Sequence, residues 1–425
     1  MAFGAGSSQC GTCPSLLKPS SRSAHAISQS LGQSLGQPLG QPLGQLLGHR
    51  RVLALAGSVV LAASALTAPA ATAGPDAAPG STAPAGPSVV AQGLNSPRLL
   101  SFGPGGALYV AEAGTGGTGP CVTGPTGPVC FGRTGSVTRI RYGHQTRVLE
   151  HLPSLAGEGG AEPIGPADVH VMRHGRYLLS IGMGQDTTAR GMLGRHARRM
   201  GTWVGGRFGH PSRVLADLAA FEAAHNPDQS VAHDSDPTGL LMTEGGPVGT
   251  DSGGNTLVRA GWMHHGHRAH VRALAVFPDV TVPQPGGGTG PMQAVPTSVA
   301  LGPDGAYYVS QLTGFPFPPG AANIFRVVPG HAPTVYASGL TNVTDLTWSQ
   351  GRLYAVQIAD GGLLAANGLP MGSLVRVHRG DNTAEDTVAG NLPAPYGVAI
   401  RHGAAYVTTC SVCAGGGGVT RIPLP

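Results

Sequence analysis

Two stretches of this chain, SPRLLSFGPGGALYVAEAG at 96–114 and VPTSVALGPDGAYYVSQLTG at 295–314, follow one pattern. An apolar strand runs into a Gly-Pro-Gly or Gly-Pro-Asp-Gly turn, and an aromatic strand follows. Weaker copies are ADVHVMRHGRYLLSIGMG (167–184), TGLLMTEGGPVGTDSGGN (238–255), TNVTDLTWSQGRLYAVQIADG (341–361) and APYGVAIRHGAAYVTTC (394–410). Aligning their first strands makes Leu99, Asp168, Gly239, Ser298, Asp345 and Gly397 equivalent, at intervals of 69, 71, 59, 47 and 52 residues. Most of these hairpins are followed by another, at 135–152, 255–277, 323–340 and 372–392. The repeating unit is therefore about four short strands, used six times.

A small sheet of this kind cannot bury both of its faces alone. Arranged radially, each sheet packs on two neighbours and the ring leaves few exposed edges. The pattern predicts an all-β chain, a six-bladed β-propeller over residues 88–425, whereas a β-sandwich gives no reason for six similar units. GVTRIPL at 418–424 supplies a third strand without a fourth, and SVVAQG at 88–93 resembles the outer strand VYASG at 335–339. The two ends are expected to pair and close the last blade. The long intervals hold inserts at 114–134, 183–204 and 212–226. In the last of these Leu215, Leu218 and Ala219 fall at helical spacing, which predicts one amphipathic helix stopped by Pro227. Inserts after second strands should emerge on the face where the innermost strands begin, and loops on a rigid scaffold are where sites are carried.

Composition agrees with many strands and turns. Glycine (69) and proline (37) are abundant among 425 residues, which argues against a helical bundle, while 41% hydrophobic content is too high for a disordered chain. Lys18, Arg22, Arg50 and Arg51, with no acid among residues 1–73, account for +4 of the net charge of +5. The remainder is nearly neutral and free of lysine, so it has no electrostatic footprint for nucleic acid.

Residues 1–73 read as a leader and signal peptide. The Leu-Gly-Gln units of 31–48 are low-complexity. His49-Arg50-Arg51 forms a basic n-region, Val52–Leu66 an apolar h-region, and Ala71-Thr72-Ala73 a small-residue site, with cleavage expected after Ala73. The apolar run is short for a bilayer span, so membrane contact is expected only where this segment stays uncleaved. Residues 74–87, rich in Ala and Pro, read as a linker. The protein is thus expected to be secreted, with the cell envelope as a second destination. Cleavage removes Cys10 and Cys13 and leaves Cys121, Cys130, Cys410 and Cys413. An even number in an exported chain suggests disulfides, and pairing 121–130 and 410–413 closes the smallest loops. The alternative is a four-thiolate zinc site, because Cys410 and Cys413 have ligand-like spacing.

Several segments together resemble the ScyD/ScyE family of exported proteins: 93–121, GSVTRI at 135–140, GPADVH at 165–170, LADLAAFEAAHNPD at 215–228, DSDPTGLL at 234–241, DSGGNTLVR at 251–259 and LAVFP at 274–278. The resemblance covers roughly residues 88–425. It implies a six-bladed propeller of the NHL and TolB kind and export, and no established activity. Leu99 departs from it, where a glycine is usual after Pro-Arg, as does Thr256, which replaces an acidic or polar residue.

Polar residues at the starts of innermost strands are expected to face the central channel: Asn95, Arg98, Asp168, Asp236, Asn342 and Asp345. Glu112, Asp251 and Asn255 follow second strands onto the same face. Oxygen ligands from separate blades suit Ca²⁺, and Asp168, Asp236, Asn342 and Glu112 are the candidate ligands. Two functional classes follow. The first is an extracellular binding or interaction module for a protein, glycan or small molecule, with Ca²⁺ as the one cofactor candidate. The second is a lactonase-like or lyase-like enzyme with a channel metal that polarises a carbonyl. The Asp234-Ser235-Asp236 and Asp251–Asn255 segments have the composition of calcium loops without EF-hand spacing. No Gly-x-Ser-x-Gly elbow, phosphate-binding loop or zinc-protease helix is present, which favours the first class. The His264, His265, His267 and His270 tract reads as a solvated turn between outer strands. Phe315-Pro316-Phe317-Pro318-Pro319 reads as an apolar loop that could be packed or could meet a partner.

Overall fold

The strand periodicity is realised as six antiparallel sheets in a ring, in a computed structural model that describes residues 86–261, 269–383 and 386–425. The leader, the signal segment, the linker up to residue 85 and the His264–His267 tract lie outside the described residues. Blade 1 runs outward from Pro97–Phe102 through Leu108–Glu112 and Pro128–Arg141 to His144–Ala156. Blade 2 is Pro166–Val171, Arg176–Ile181, Thr202–Arg207 and Arg213–Asp217, and blade 3 is Pro237–Thr243, Gly246–Asp251, Thr256–Ala260 and Val271–Val276. Blade 4 comprises Pro296–Leu301, Tyr307–Gln311, Ala322–Val327 and Thr334–Leu340; blade 5 comprises Val343–Ser349, Arg352–Gln357, Met371–Val377 and Asp386–Pro393. Blade 6 is Val398–Arg401, Ala404–Thr409 and Gly417–Pro423, and Ser88–Leu94 joins it as the outermost strand, with Ser88 opposite Arg421. The expected closure by both ends of the repeat region is therefore present.

Alternation along each strand divides its side chains between two neighbours. In Leu108–Glu112, Tyr109 and Ala111 pack on blade 2, whereas Leu108 and Val110 pack on blade 6. In Arg352–Gln357, Leu353 and Ala355 meet blade 4, while Tyr354 and Val356 meet blade 6. One apolar cluster lies between every neighbouring pair of blades, so the core is a ring of six wedges.

Polar groups close the same ring nearer its axis. Ser101 Oγ donates to Val169 O, joining blade 1 to blade 2. The Leu240 N–H donates to Asp168 Oδ2 at 2.8 Å, joining blades 2 and 3. Ser252 Oγ donates to Pro296 O at 2.6 Å, Thr297 Oγ1 to Val343 O at 2.8 Å, and Thr344 Oγ1 to Tyr396 O at 2.6 Å. Thr408 Oγ1 donates to Arg98 O at 2.9 Å and completes the circuit from blade 6 to blade 1. Neighbouring innermost strands come so close that a Cβ on Gly239 would lie 2.7 Å from Ser298 Cα, and one on Gly397 2.8 Å from Leu99 Cα. This explains glycine at two of the six aligned positions.

The 212–226 segment differs from expectation. Arg213–Asp217 pairs with Thr202–Gly205 as the outermost strand of blade 2, and only Leu218–His225 is helical. Backbone pairing with an otherwise open sheet edge overrides the helical spacing of Leu215. Asp217 then caps the helix by accepting from the Ala220 N–H at 3.0 Å, and Asn226 ends it in the left-handed region at φ 40°. Both expected disulfides are formed, Cys121–Cys130 and Cys410–Cys413, with Cα separations of 4.0 and 5.3 Å, so these thiols hold no zinc.

Removing Ser88–Leu94 exposes one face of the last wedge, and urea denaturation of the truncated protein should give a lower midpoint and a shallower transition. Replacing Thr408 by Val orphans the buried Arg98 carbonyl and the Gly397 N–H, which donates to Thr408 Oγ1 at 2.7 Å. The expected loss, read from the same denaturation curves, is about 2 kcal/mol.

Candidate functional site

The loops that leave the second strands meet the segments that enter the innermost strands on one face. Gly114 N–H donates to Asn95 O, Gly182 N–H to Gly165 O, Ser252 N–H to Asp236 O, Leu312 N–H to Val295 O and Ile358 N–H to Asn342 O. Every large insert therefore opens beside the channel mouth, as the repeat pattern implies.

The nine polar residues expected there do not form one ligand group, although Asp236 lies within electrostatic range of Arg98 and Asp345 within that of Asp168. Glu112 is fully buried and accepts from Asn95 N–H at 2.7 Å, Thr138 Oγ1 at 2.6 Å and Arg147 Nη2 at 3.0 Å. Asn342 donates to Leu312 O at 2.8 Å and accepts from Leu363 N–H at 2.9 Å, so it fastens two loops. Asp168 and Asp345 line a channel cavity of about 370 Å³, but each is held by backbone amides. Asp168 accepts from Val169 and Leu240, and Asp345 accepts from Leu346, Val398 and the Ser298 hydroxyl. Burial raises the pKa of both, that of Asp345 to about 7. Arg98 donates to Pro163 O and lies over the Tyr396 ring, 4.6 Å from its centroid.

The expected calcium quartet of Asp168, Asp236, Asn342 and Glu112 is thus divided among four separate hydrogen-bond arrangements and does not surround one point. Among the described residues no three Asp, Glu, His or Cys side chains gather as a ligand group by themselves.

Asp236, Asp251 and Asn255 belong instead to an acidic centre built around the blade 2 insert. A ribbon of Gln185–Asp186 and Asp234–Ser235 ties this insert to the entry of blade 3. Asp251 is a structural hinge of that entry: it accepts from Asp236 N–H at 2.6 Å, Ser235 Oγ at 2.7 Å and Gly254 N–H at 3.3 Å. Asn255 donates to Asp228 Oδ2 at 2.9 Å and accepts from Val295 N–H at 2.9 Å. The helix then brings Glu222 inward, to 1% exposure, where a Cβ on Gly254 would lie 2.5 Å from its Oε2. Gly254 leaves the room that this carboxylate occupies, and Gly253 lets the Asp234–Ser235 backbone approach.

Three acceptor oxygens here are buried without a donor among the described residues: Glu222 Oε1, Asn226 Oδ1 and Asp234 Oδ1. Burial and the charges of Asp251, Asp228 and Asp234 push Glu222 up to about 8. Burial, with Asp251 and Asp228, pushes Asp234 up to about 7, and burial with Asp251 does the same to Asp236. Leaving such groups ionised and unpaired is costly, so the centre accepts either protons or a cation.

Glu222, Asn226 and Asp228 are absent from the sequence expectations, and Asp234 enters them only as part of a segment with calcium-loop composition. The signal is available for Glu222, which stands one turn after Leu218 and therefore on the buried side of its helix. A cleft of about 710 Å³ between blades 2 and 3 is mostly apolar and lies away from this chemistry.

The class this geometry defines is a six-bladed β-propeller with an acid-lined insert. No family model and no curated protein matches the chain. Among solved structures it is similar to an inactive virginiamycin B lyase from Staphylococcus aureus with quinupristin, at 11% identity over 79% of this chain and 96% of that chain, TM-score 0.40. It is also similar to a glucose dehydrogenase, at 12% identity over 80% and 99% of the two chains, TM-score 0.46. A third is the PQQ-bound aldose sugar dehydrogenase from Streptomyces coelicolor, at 16% identity over 77% and 80%, TM-score 0.31. These likenesses are too distant to carry residue roles across, and the blade count rests on the chain's own sheets.

Raised carboxyl pKa values mean that the folded state binds protons more tightly than the unfolded chain. Stability is then fully present below the unfolded carboxyl pKa, near 4.5 for Glu222, and is lost as pH rises through about 8. In chelator, thermal unfolding should show the protein losing on the order of 3 kcal/mol between about pH 5 and about pH 8.5. Glu222→Gln should flatten part of that slope.

Proposed function

We propose that this protein is an extracellular binding module whose blade 2 insert is set by Ca²⁺. The observation that carries the reading is the trio of buried, donor-free oxygens on Glu222, Asn226 and Asp234. They are hard oxygen acceptors one helical turn apart or facing that turn, among further carboxylates. Ca²⁺ accepts six to eight such oxygens and completes its shell with backbone carbonyls and water. It therefore needs no third carboxylate at ligand distance. The cation neutralises the centre and fixes the insert as a loop surface for a protein, glycan or small molecule.

A channel enzyme is less well supported, because Asp168 and Asp345 are engaged by backbone amides of their own and the next blade. The two disulfides agree with an oxidising compartment, and export with cleavage after Ala73, like membership of the ScyD/ScyE family, forms part of the proposal.

Titration calorimetry and elemental analysis of the purified protein test this. One Ca²⁺ per chain is expected, and Ca²⁺ at a hundredfold excess over its Kd should add about 2.7 kcal/mol to stability at pH 8. Glu222→Gln with Asp234→Asn should abolish both effects, and Asp168→Asn should leave them intact. Absence of heat and of any thermal shift in the parent protein overturns the cation site. Metal-dependent lactone hydrolysis lost in Asp168→Asn overturns the module reading.

A further inference from the structure

The same insert carries the opposite charge on its outer side. The short 3₁₀ turn Arg195–Arg199 lies beside the two long outer strands of blade 1, and together they form a cleft of about 410 Å³. Arg133, Arg195, Arg198 and Arg199 line it, with His151 and His196. Among the described residues none of these four arginines pairs with a carboxylate. What sets them apart is that four lie in one depression, whereas Arg147, Arg190 and Arg326 stand singly and meet Glu112, Asp217 and Asp304. In a body of nearly neutral charge, four unpaired guanidinium groups in one depression repel one another unless an anion joins them.

The cleft is also stiff. Arg199 is held through both Nη atoms, which donate to Ser212 Oγ at 2.9 Å and Ser212 O at 3.2 Å. Arg133 Nε donates to His151 O at 3.1 Å, and Thr202 Oγ1 donates to Arg199 O at 2.7 Å. Ala197 and Met200, both fully buried, anchor the turn in the cluster that joins the insert to blade 1. Side chains held in place lose little further freedom when a ligand arrives. Arg195 and Arg198 are exposed; Arg195 Nε donates to His196 Nε2 at 3.2 Å, and its Nη groups and the Arg198 guanidinium remain for bidentate contact with an oxyanion.

We infer that this arginine cleft, outside the acidic centre and independent of it, binds an acidic polysaccharide through carboxylate or sulfate groups on successive sugars. A single small anion satisfies one or two guanidinium groups, whereas a chain of anionic sugars meets all four across the two blades. The cavity lies in the range of saccharide-sized ligand sites, and the disulfides agree with an extracellular compartment where such chains occur.

The test uses the full chain in calorimetry with oligogalacturonate, a sulfated oligosaccharide, a neutral oligosaccharide and inorganic phosphate, each with and without chelator. Saturable binding of one or both acidic oligosaccharides is expected, weakened by salt, absent for the neutral one and unaffected by chelator. Arg195→Ala with Arg198→Ala should weaken it roughly a hundredfold, about tenfold for each guanidinium removed, without lowering the melting temperature. Arg326→Ala, at a paired arginine, should change nothing. No saturable binding, or binding untouched by the double variant, overturns the inference. Inorganic phosphate that binds as tightly as the oligosaccharides also overturns it, by reducing the cleft to a small-anion site. Loss of binding in chelator alone would place the effect at the acidic centre and refute the independence claimed here.

Discussion

Hydrogen bonds between neighbouring blades, close to the ring axis, are the constraint on which the rest of the molecule depends. A propeller has no central helix or sheet to hold its blades, and its apolar wedges fix distance better than they fix angle. Directional bonds from Ser101, Ser252, Thr297, Thr344 and Thr408, and to Asp168, supply the angle at each junction. All six are short links to backbone groups that would otherwise be buried and unpaired, so each stabilises two elements at once. The same economy explains why inward-facing polarity here is a mark of assembly more than of chemistry.

Much of the architecture is legible in sequence because it is periodic. Alternation gives strands, turn residues give hairpins, and six copies allow only a few closed arrangements. The pairing of Ser88–Leu94 with Gly417–Pro423 follows from counting one strand too few at one end and one too many at the other. The start of the helix is misplaced by sequence spacing because Leu215 satisfies helical spacing and strand alternation equally, and only the open edge of Thr202–Arg207 decides between them. Spacing within a segment cannot report a sheet edge contributed by another.

The site is less legible for a related reason. Asp168 and Asp345 are found by their equivalent positions, but whether a carboxylate faces an ion or a neighbouring N–H depends on the next blade. Glu222 and Asp234 lie in an insert, outside the repeat that makes the other residues comparable. Their proximity arises from three separate segments meeting: a helix, the Gln185–Asp186 ribbon and the Gly253-Gly254 bend. Asp234-Ser235-Asp236 and Asp251–Asn255 carry a local signature, and the structure makes Asp251 and Asn255 the frame of the centre.

The outermost strand of blade 6 comes from the opposite end of the repeat region to the three inside it. A ring joined in this way has one seam, and that seam cannot form until the last strand of the ring has met the first. Until then one wedge of apolar side chains stays open to water, and the chain is unable to complete its fold progressively behind the ribosome or a translocation pore. Cooperativity follows from the same fact: segments far apart along the chain must come together at once, which slows folding and leaves no small part of the ring able to stand alone.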